Sequence, residues 1–223
     1  MKKLTIGFDV YGTLVDPLEV SSYLHKLIGD KNKLFAEIWR QKQLEYTFRR
    51  GLMNQYKNFD ICVQQAMQYA MDCLTVSFPN NEKDNLLNLY SNLKVFPDVM
   101  PALKLLKQNN HTLVAFSNGV ESTLKTLLSN AGIIDYLTDI ISVDKVQTFK
   151  PSPKVYEYLA SKTGADPAKC WVVSSNPFDV IGSKSAGLNA AWIQRDPGNI
   201  FDPWEYTPDI TAKDLIEFAA YLK

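Results

Sequence analysis

Histidine, cysteine, net charge and long apolar runs are all scarce in this sequence of 223 residues, and each scarcity closes off a class of function. Lys plus Arg and Asp plus Glu are both 24, so no charge surplus argues for nucleic acid or an anionic membrane as partner. Cys62, Cys73 and Cys170 are odd in number and lack CxxC spacing. They read as buried free thiols in a reducing compartment, which points to the cytoplasm. Only two histidines occur, His25 and His111, neither near the carboxyl end of a strand-like run, so a histidine base is not expected and both read as structural. No stretch approaches the ~18 apolar residues of a membrane span. The opening "MKKLTIGFDVYG" has a basic start, but Asp9 interrupts its apolar run, so no signal peptide is expected. No internal repeat or low-complexity segment occurs. What remains is 46% hydrophobic, enough for a sizeable core in one large or two small domains.

The apolar runs that are present are short. "LTIGFD" (4–9), "TLVAF" (112–116), "DIISV" (139–143), "CWVV" (170–173) and "AAWI" (190–193) have the length and β-branched content of buried strands. Helical patterns alternate with them over Val99–Gln108, Glu121–Asn130, Pro153–Lys162 and Val180–Ala186. This alternation predicts an α/β fold, a doubly wound, Rossmann-like, mainly parallel sheet covered by helices. One connection breaks the rhythm. About 85 residues separate Thr13 from the helix at Val99, against ~30 in an ordinary βαβ unit. Helical patterns fill it over 34–53, 58–78 and 81–93, and "KVFPDVMP" (94–101) reads as a return linker. The expected organisation is an α/β core of 1–15 and 97–223 with an inserted helical cap domain of 16–96.

In open parallel sheets, ligands bind beyond the carboxyl ends of the strands. Here those ends carry Asp9, then "SNG" from Ser117, then Lys150 after "DIISV", then "SSNPFD" from Ser174 to Asp179. Any one of these has an ordinary explanation as a cap or turn. Together they deliver two carboxylates, an ammonium, hydroxyls and amides to one crevice.

"DVYGTL", "SNG", "KP" and "SSNPFD", in that order and with a helical insertion after the first, resemble the haloacid dehalogenase superfamily. The resemblance implies that Asp9 is a nucleophile forming a covalent aspartyl ester. Most members are magnesium-dependent phosphatases with a DxD first motif. This chain has Tyr11 at the second acid and Ser175 at an acid of the last motif. Magnesium needs several hard oxygen ligands, so a metal-free reaction without a cofactor is expected. A magnesium-dependent small-molecule phosphatase of the same fold is the alternative.

Tyrosine at that position is similar to the L-2-haloacid dehalogenase branch, as are "WRQKQLEYTF" (39–48), "YKNFD" (56–60) and "KPSPKVYEY". The resemblance implies hydrolysis of small L-2-haloalkanoic acids to D-2-hydroxy acids, with a 2-halo acid and water as partners and a homodimer as the assembly. It implies catalytic roles for Asp9, Thr13, Arg40, Lys150, Ser174, Asn176 and Asp179. Tyr11, Gln41, Leu44, Phe59, Ser117, Asn118, Tyr156 and Phe178 are the expected substrate-binding residues. Ser117, with Lys150 nearby and backbone N–H groups around 10–11 and 118, would hold the substrate carboxylate. Arg40, Asn118 and Phe178 would receive the halide. Asp179 is the expected base for the hydrolytic water, with Lys150, Ser174 and Asn176 orienting it. One departure stands out: the family commonly has tryptophan where this chain has Phe178, which removes an indole N–H donor.

Overall fold

A computed structural model describes residues 3–222. Six strands form one sheet: β1 (Thr5–Phe8), β2 (Thr112–Ser117), β3 (Asp139–Ser142), β4 (Cys170–Ser174), β5 (Asn189–Ile193) and β6 (Ile210–Ala212). Their order is β3-β2-β1-β4-β5-β6, and every pairing is parallel. The chain winds outward from β1 in one direction and then from β4 in the other, so the topological switch point lies between them. Phe8 is in register with both Ala115 and Val173. The carboxyl ends of the three central strands therefore open on one edge, with Asp9 between the chains leaving β2 and β4. The Asp9 amide donates to Val173 O at 3.0 Å, which extends the ladder one residue past β1.

Helices α5 (Val99–Gln108), α6 (Glu121–Asn130), α7 (Pro153–Thr163), α8 (Pro177–Ser185) and α9 (Leu215–Tyr221) complete this α/β layer. The five sequence-read strands are present within a residue or so at each end. β6 and α9 were not expected. The helix had a readable signal in "DLIE": Asp214 accepts from the Glu217 amide at 2.8 Å, while Glu217 reaches back to the Lys213 amide.

The insertion folds as α1 (Ser21–Ile28), α2 (Asn32–Leu52), α3 (Phe59–Leu74) and α4 (Asn80–Leu89). α1 was not anticipated. The run read over 58–78 ends at Leu74, because Thr75 takes a left-handed conformation (φ 51°) that closes the helix without a glycine. The run read over 81–93 likewise stops at Leu89. α3 buries Phe59, Cys62, Val63, Ala66, Met67, Ala70 and Met71, a stripe at three- and four-residue spacing. Cys73 falls off that stripe and is exposed, so only Cys62 and Cys170 are the buried thiols expected. The Trp39 indole N–H donates to Val63 O at 2.9 Å and ties α2 to α3. Where the insertion joins the sheet layer, Val15 faces Val95 in an antiparallel bridge, and the Phe96 amide donates to Leu14 O at 3.1 Å. Among the described residues no helix is long and apolar enough to cross a membrane.

Candidate active site

The segment after β1 is a tight turn. The amides of Thr13, Leu14 and Val15 all point at Val10 O, and Gly12 takes φ 92°, a conformation that favours glycine. The turn aims the Thr13 hydroxyl back at the carboxylate of Asp9, donating to Oδ2 at 3.0 Å. Oδ2 also accepts from Asn176 Nδ2 at 2.7 Å and Ser174 Oγ at 3.3 Å. Among the described residues Oδ1 accepts from one group, Lys150 Nζ, at 3.1 Å. The two oxygens are thus unequal, with three donors on one and a single donor on the other.

Lys150 is 1% exposed, and its ammonium is fully used. Besides Asp9 it donates to Asp179 Oδ2 and to Phe116 O, both at 2.8 Å, and it lies 4.1 Å from the centre of the Phe116 ring. Burying three ionised groups is costly unless each is paired. Here one cation serves both anions. Asp179 is wholly buried in the first turn of α8. Burial pushes its carboxyl up, with the Asp9 charge adding to the rise and Lys150 opposing it. Tyr156 Oη donates to Asp179 Oδ1 at 2.9 Å. Burial, and then the neighbouring Asp179 charge, raise that phenol well above the usual range.

α2 crosses above this end of the sheet and contributes Arg40, whose Nη2 donates to Tyr11 O at 3.2 Å, the same oxygen that Asn176 Nδ2 reaches. Burial lowers the Arg40 guanidinium from its ordinary value. The Tyr11 ring packs on Phe59 with centroids 5.5 Å apart, and burial raises its phenol strongly. Asn118 Oδ1 accepts from the Lys150 amide at 3.0 Å, and Ser117 Oγ accepts from the Gly119 amide at 3.1 Å. The amides of Val10, Tyr11 and Asn118 have no intramolecular acceptor among the described residues. Phe178 is held edge-on by Phe48 of α2, 5.1 Å between centroids.

These groups enclose a cavity of about 10 Å³, lined by Asp9, Tyr11, Arg40, Leu44, Phe59, Ser117, Asn118, Lys150, Asn176 and Phe178. That is room for about one water. Thr13, Ser174 and Asp179 stand directly behind the lining, each hydrogen-bonded to Asp9 or Lys150. Two expected substrate contacts are not brought to the cavity. Gln41 is exposed, one helical step round from Arg40 on the outer side of α2. Tyr156 is fully buried with its hydroxyl on Asp179, so it supports a carboxylate and does not line the cavity. His25 is exposed, and His111 sits at the opposite end of the sheet, where its Nδ1 accepts from the Leu4 amide. In the sequence Ser175 marks only the loss of a metal ligand; the structure gives it a bracing role. Its amide donates to Thr13 Oγ1 at 2.9 Å and its hydroxyl to Gly12 O, so it braces the Asp9 turn.

A carboxylate-bearing turn after β1, a hydroxyl and amide after β2, a lysine, and an acid on α8 form one constellation. Its family is decided by comparison, since the profile of the haloacid dehalogenase-like hydrolases matches residues 4–187. The chain belongs to that family. Within the haloacid dehalogenase-like hydrolases it is 37% identical over 212 residues to haloacetate dehalogenase H-2 of Moraxella sp. (strain B), covering 95% of this chain and 94% of that protein. It is 35% identical to an (S)-2-haloacid dehalogenase of Pseudomonas sp. (strain YL), covering 92% and 88%. Its structure superposes with TM-score 0.91 on L-2-haloacid dehalogenase from Xanthobacter autotrophicus with chloropropionic acid covalently bound, at 28% identity over 99% and 98% of the two chains.

Proposed function

We propose that this chain is a hydrolase of carbon–halide bonds that converts small L-2-haloalkanoic acids and water to D-2-hydroxy acids and halide. In this reading 1–15 and 97–223 form the catalytic core, and 16–96 form a cap domain that closes over it. The observation that carries the reading is the inequality of the two Asp9 oxygens. Oδ1, with one donor, keeps lone pairs free to attack C2. The carbon–halogen bond breaks, halide leaves with the bonding pair, and C2 inverts once. Arg40, Asn118 and Phe178 surround the departing halide. Ser117 and the unpartnered amides near Tyr11 and Asn118 suit the substrate carboxylate.

The second half uses Oδ2. Water attacks the Asp9 ester carbonyl, and the charge that develops falls on an oxygen already facing Thr13, Ser174 and Asn176. Donors set in place beforehand are worth most at that moment. Asp179 accepts the proton of the water, its basicity raised by burial. The Asp9 Cγ–O bond to the substrate then breaks, the leaving alkoxide takes the proton from Asp179 to give the hydroxy acid, and Asp9 releases its remaining proton to solvent. Lys150 and Tyr156 hold both Asp179 oxygens beforehand, so the water enters beside Lys150 once esterification has removed the charge of Asp9.

The residues do not fit the magnesium chemistry common in the superfamily. Asp9 and Asp179 already share the Lys150 ammonium, the second acid position after Asp9 is Tyr11, and the Ser175 hydroxyl is turned onto Gly12 O, so too few free carboxylate oxygens converge for Mg²⁺. Halide release from L-2-chloropropionate should therefore survive exhaustive chelation. In H₂¹⁸O the first turnover should place label in the Asp9 carboxylate. Label only in the hydroxy acid, or a requirement for added Mg²⁺, would overturn the mechanism. We further propose a homodimer in the cytoplasm, with sedimentation equilibrium as the check on its mass.

A further inference from the structure

We propose that Arg195, which belongs to none of the sequence motifs of the site, is a positioning residue that clamps the nucleophile turn to the point where the cap joins the core. The proposal rests on the dehalogenase reading above. Arg195 follows β5. Its guanidinium grips Asp98 through two bonds, Nη1 to Oδ1 at 2.9 Å and Nη2 to Oδ2 at 3.2 Å. Nη2 also donates to Thr13 O, and the guanidinium carbon stacks 3.8 Å from the centre of the Phe96 ring. Asp98 is fixed in turn by the Leu215 amide, 2.8 Å from Oδ2.

The three partners of the guanidinium have one thing in common. Thr13 lies where the chain leaves the sheet for the insertion, and Phe96 and Asp98 lie where it returns. Val15 and Val95 pair between these segments, and the Phe96 amide bonds Leu14 O. One side chain therefore pins both strands of the connection. The peptide unit between Thr13 and Leu14 is planar and rigid. Its N–H is held by Val10 O at 2.9 Å, and among the described residues its carbonyl accepts from Arg195 alone. Fixing that plane fixes where the Thr13 hydroxyl points, and it points at Asp9 Oδ2. Rotation of the cap about 14–16 and 94–96 would be felt at the nucleophile through this guanidinium. A bidentate, stacked arginine is the group suited to three simultaneous contacts, and lysine is not.

The test is Arg195→Lys, which keeps a cation for Asp98 but lacks the fork that also reaches Thr13 O. The kcat for halide release should fall about tenfold or more while KM moves less than about threefold. In a Thr13→Val background the same change should lower kcat less than about twofold, because the hydroxyl it acts through is gone. The double variant Arg195→Met/Asp98→Asn, which strands no buried charge, should behave like Arg195→Lys. Amide exchange reads the clamp without turnover: Leu14 and Val15 should exchange faster in Arg195→Lys while Val172 and Val173 stay as in wild type. Fully multiplicative effects with Thr13→Val, an unchanged kcat, or uniform loss of protection through the sheet would overturn the proposal. If wild type releases no halide from any 2-halo acid, the dehalogenase reading fails, and the exchange pattern still decides whether Arg195 holds the turn.

Discussion

Replacing Lys150 by methionine removes the one cation and leaves two buried carboxylates, Asp9 and Asp179, facing each other. Nζ lies 3.1 Å from Asp9 Oδ1 and 2.8 Å from Asp179 Oδ2, so those oxygens are at most about 6 Å apart. At an effective dielectric of ~20, two unit charges ~6 Å apart repel by roughly 2.8 kcal/mol, equivalent to about two pH units of titration. Stripping one partner from a buried ion pair typically costs ~3–5 kcal/mol, a large share of the ~5–15 kcal/mol that holds a domain together. The loss should depend on pH. Asp179 is already raised by burial, with Lys150 opposing the rise. Without the lysine it rises further, so the native state keeps a proton that the unfolded chain has released. Stability of the variant is then retained below the unfolded carboxylate value of ~3.9 and lost as pH climbs through the raised native value. Urea unfolding followed by the fluorescence of the four tryptophans, at pH 5 and pH 8, measures this. Lys150→Met should lose most of its ~3–5 kcal/mol at pH 8 and clearly less at pH 5. Adding Asp179→Asn should recover part of the loss at pH 8. Equal losses at both pH values, or a double variant weaker than the single one, would refute the shared-cation reasoning.

Arg40→Ala should slow aspartyl-ester formation at saturating substrate by ~10²–10³, the usual effect of losing one donor to a developing anion. Arg40→Lys should restore little, and an effect confined to KM would instead assign Arg40 to the substrate carboxylate. Gly182→Ala tests the support beneath Asp179. A Cβ there would come 2.5 Å from Tyr156 Oη and 2.6 Å from Pro151 Cβ, so the phenol must move off the carboxylate. Loss of one hydrogen bond to a charged group, ~1.5–3 kcal/mol, predicts kcat down about ten- to a hundredfold. Unchanged kcat would mean that Tyr156 only fills space.

Much of this protein was readable in one dimension. Five short β-branched runs, each ending in a polar group, imply a parallel sheet with its chemistry on one edge, because strand periodicity and crossover connections leave few alternatives. Asp9, Lys150, Asn176 and Asp179 sit at such ends, and a long helical interruption after the first strand announces something that covers them. Spacing along a chain says which residues share a face of an element. It does not say what meets that face. Gln41 and Arg40 are adjacent in sequence, and only the placement of α2 against the sheet turned one to the cavity and the other to solvent. Tyr156 lies one turn from "KP", yet whether its hydroxyl met substrate or a carboxylate depended on the packing of α7 beside α8. The division of donors between the two oxygens of Asp9 needs groups from three strand ends at distances no spacing encodes. The clamp by Arg195 joins residues more than eighty positions apart, in a stretch with no motif of its own. Such contacts arise only when the sheet has closed and the insertion has returned, because hydrogen bonds act over a few ångströms of space and not along the sequence.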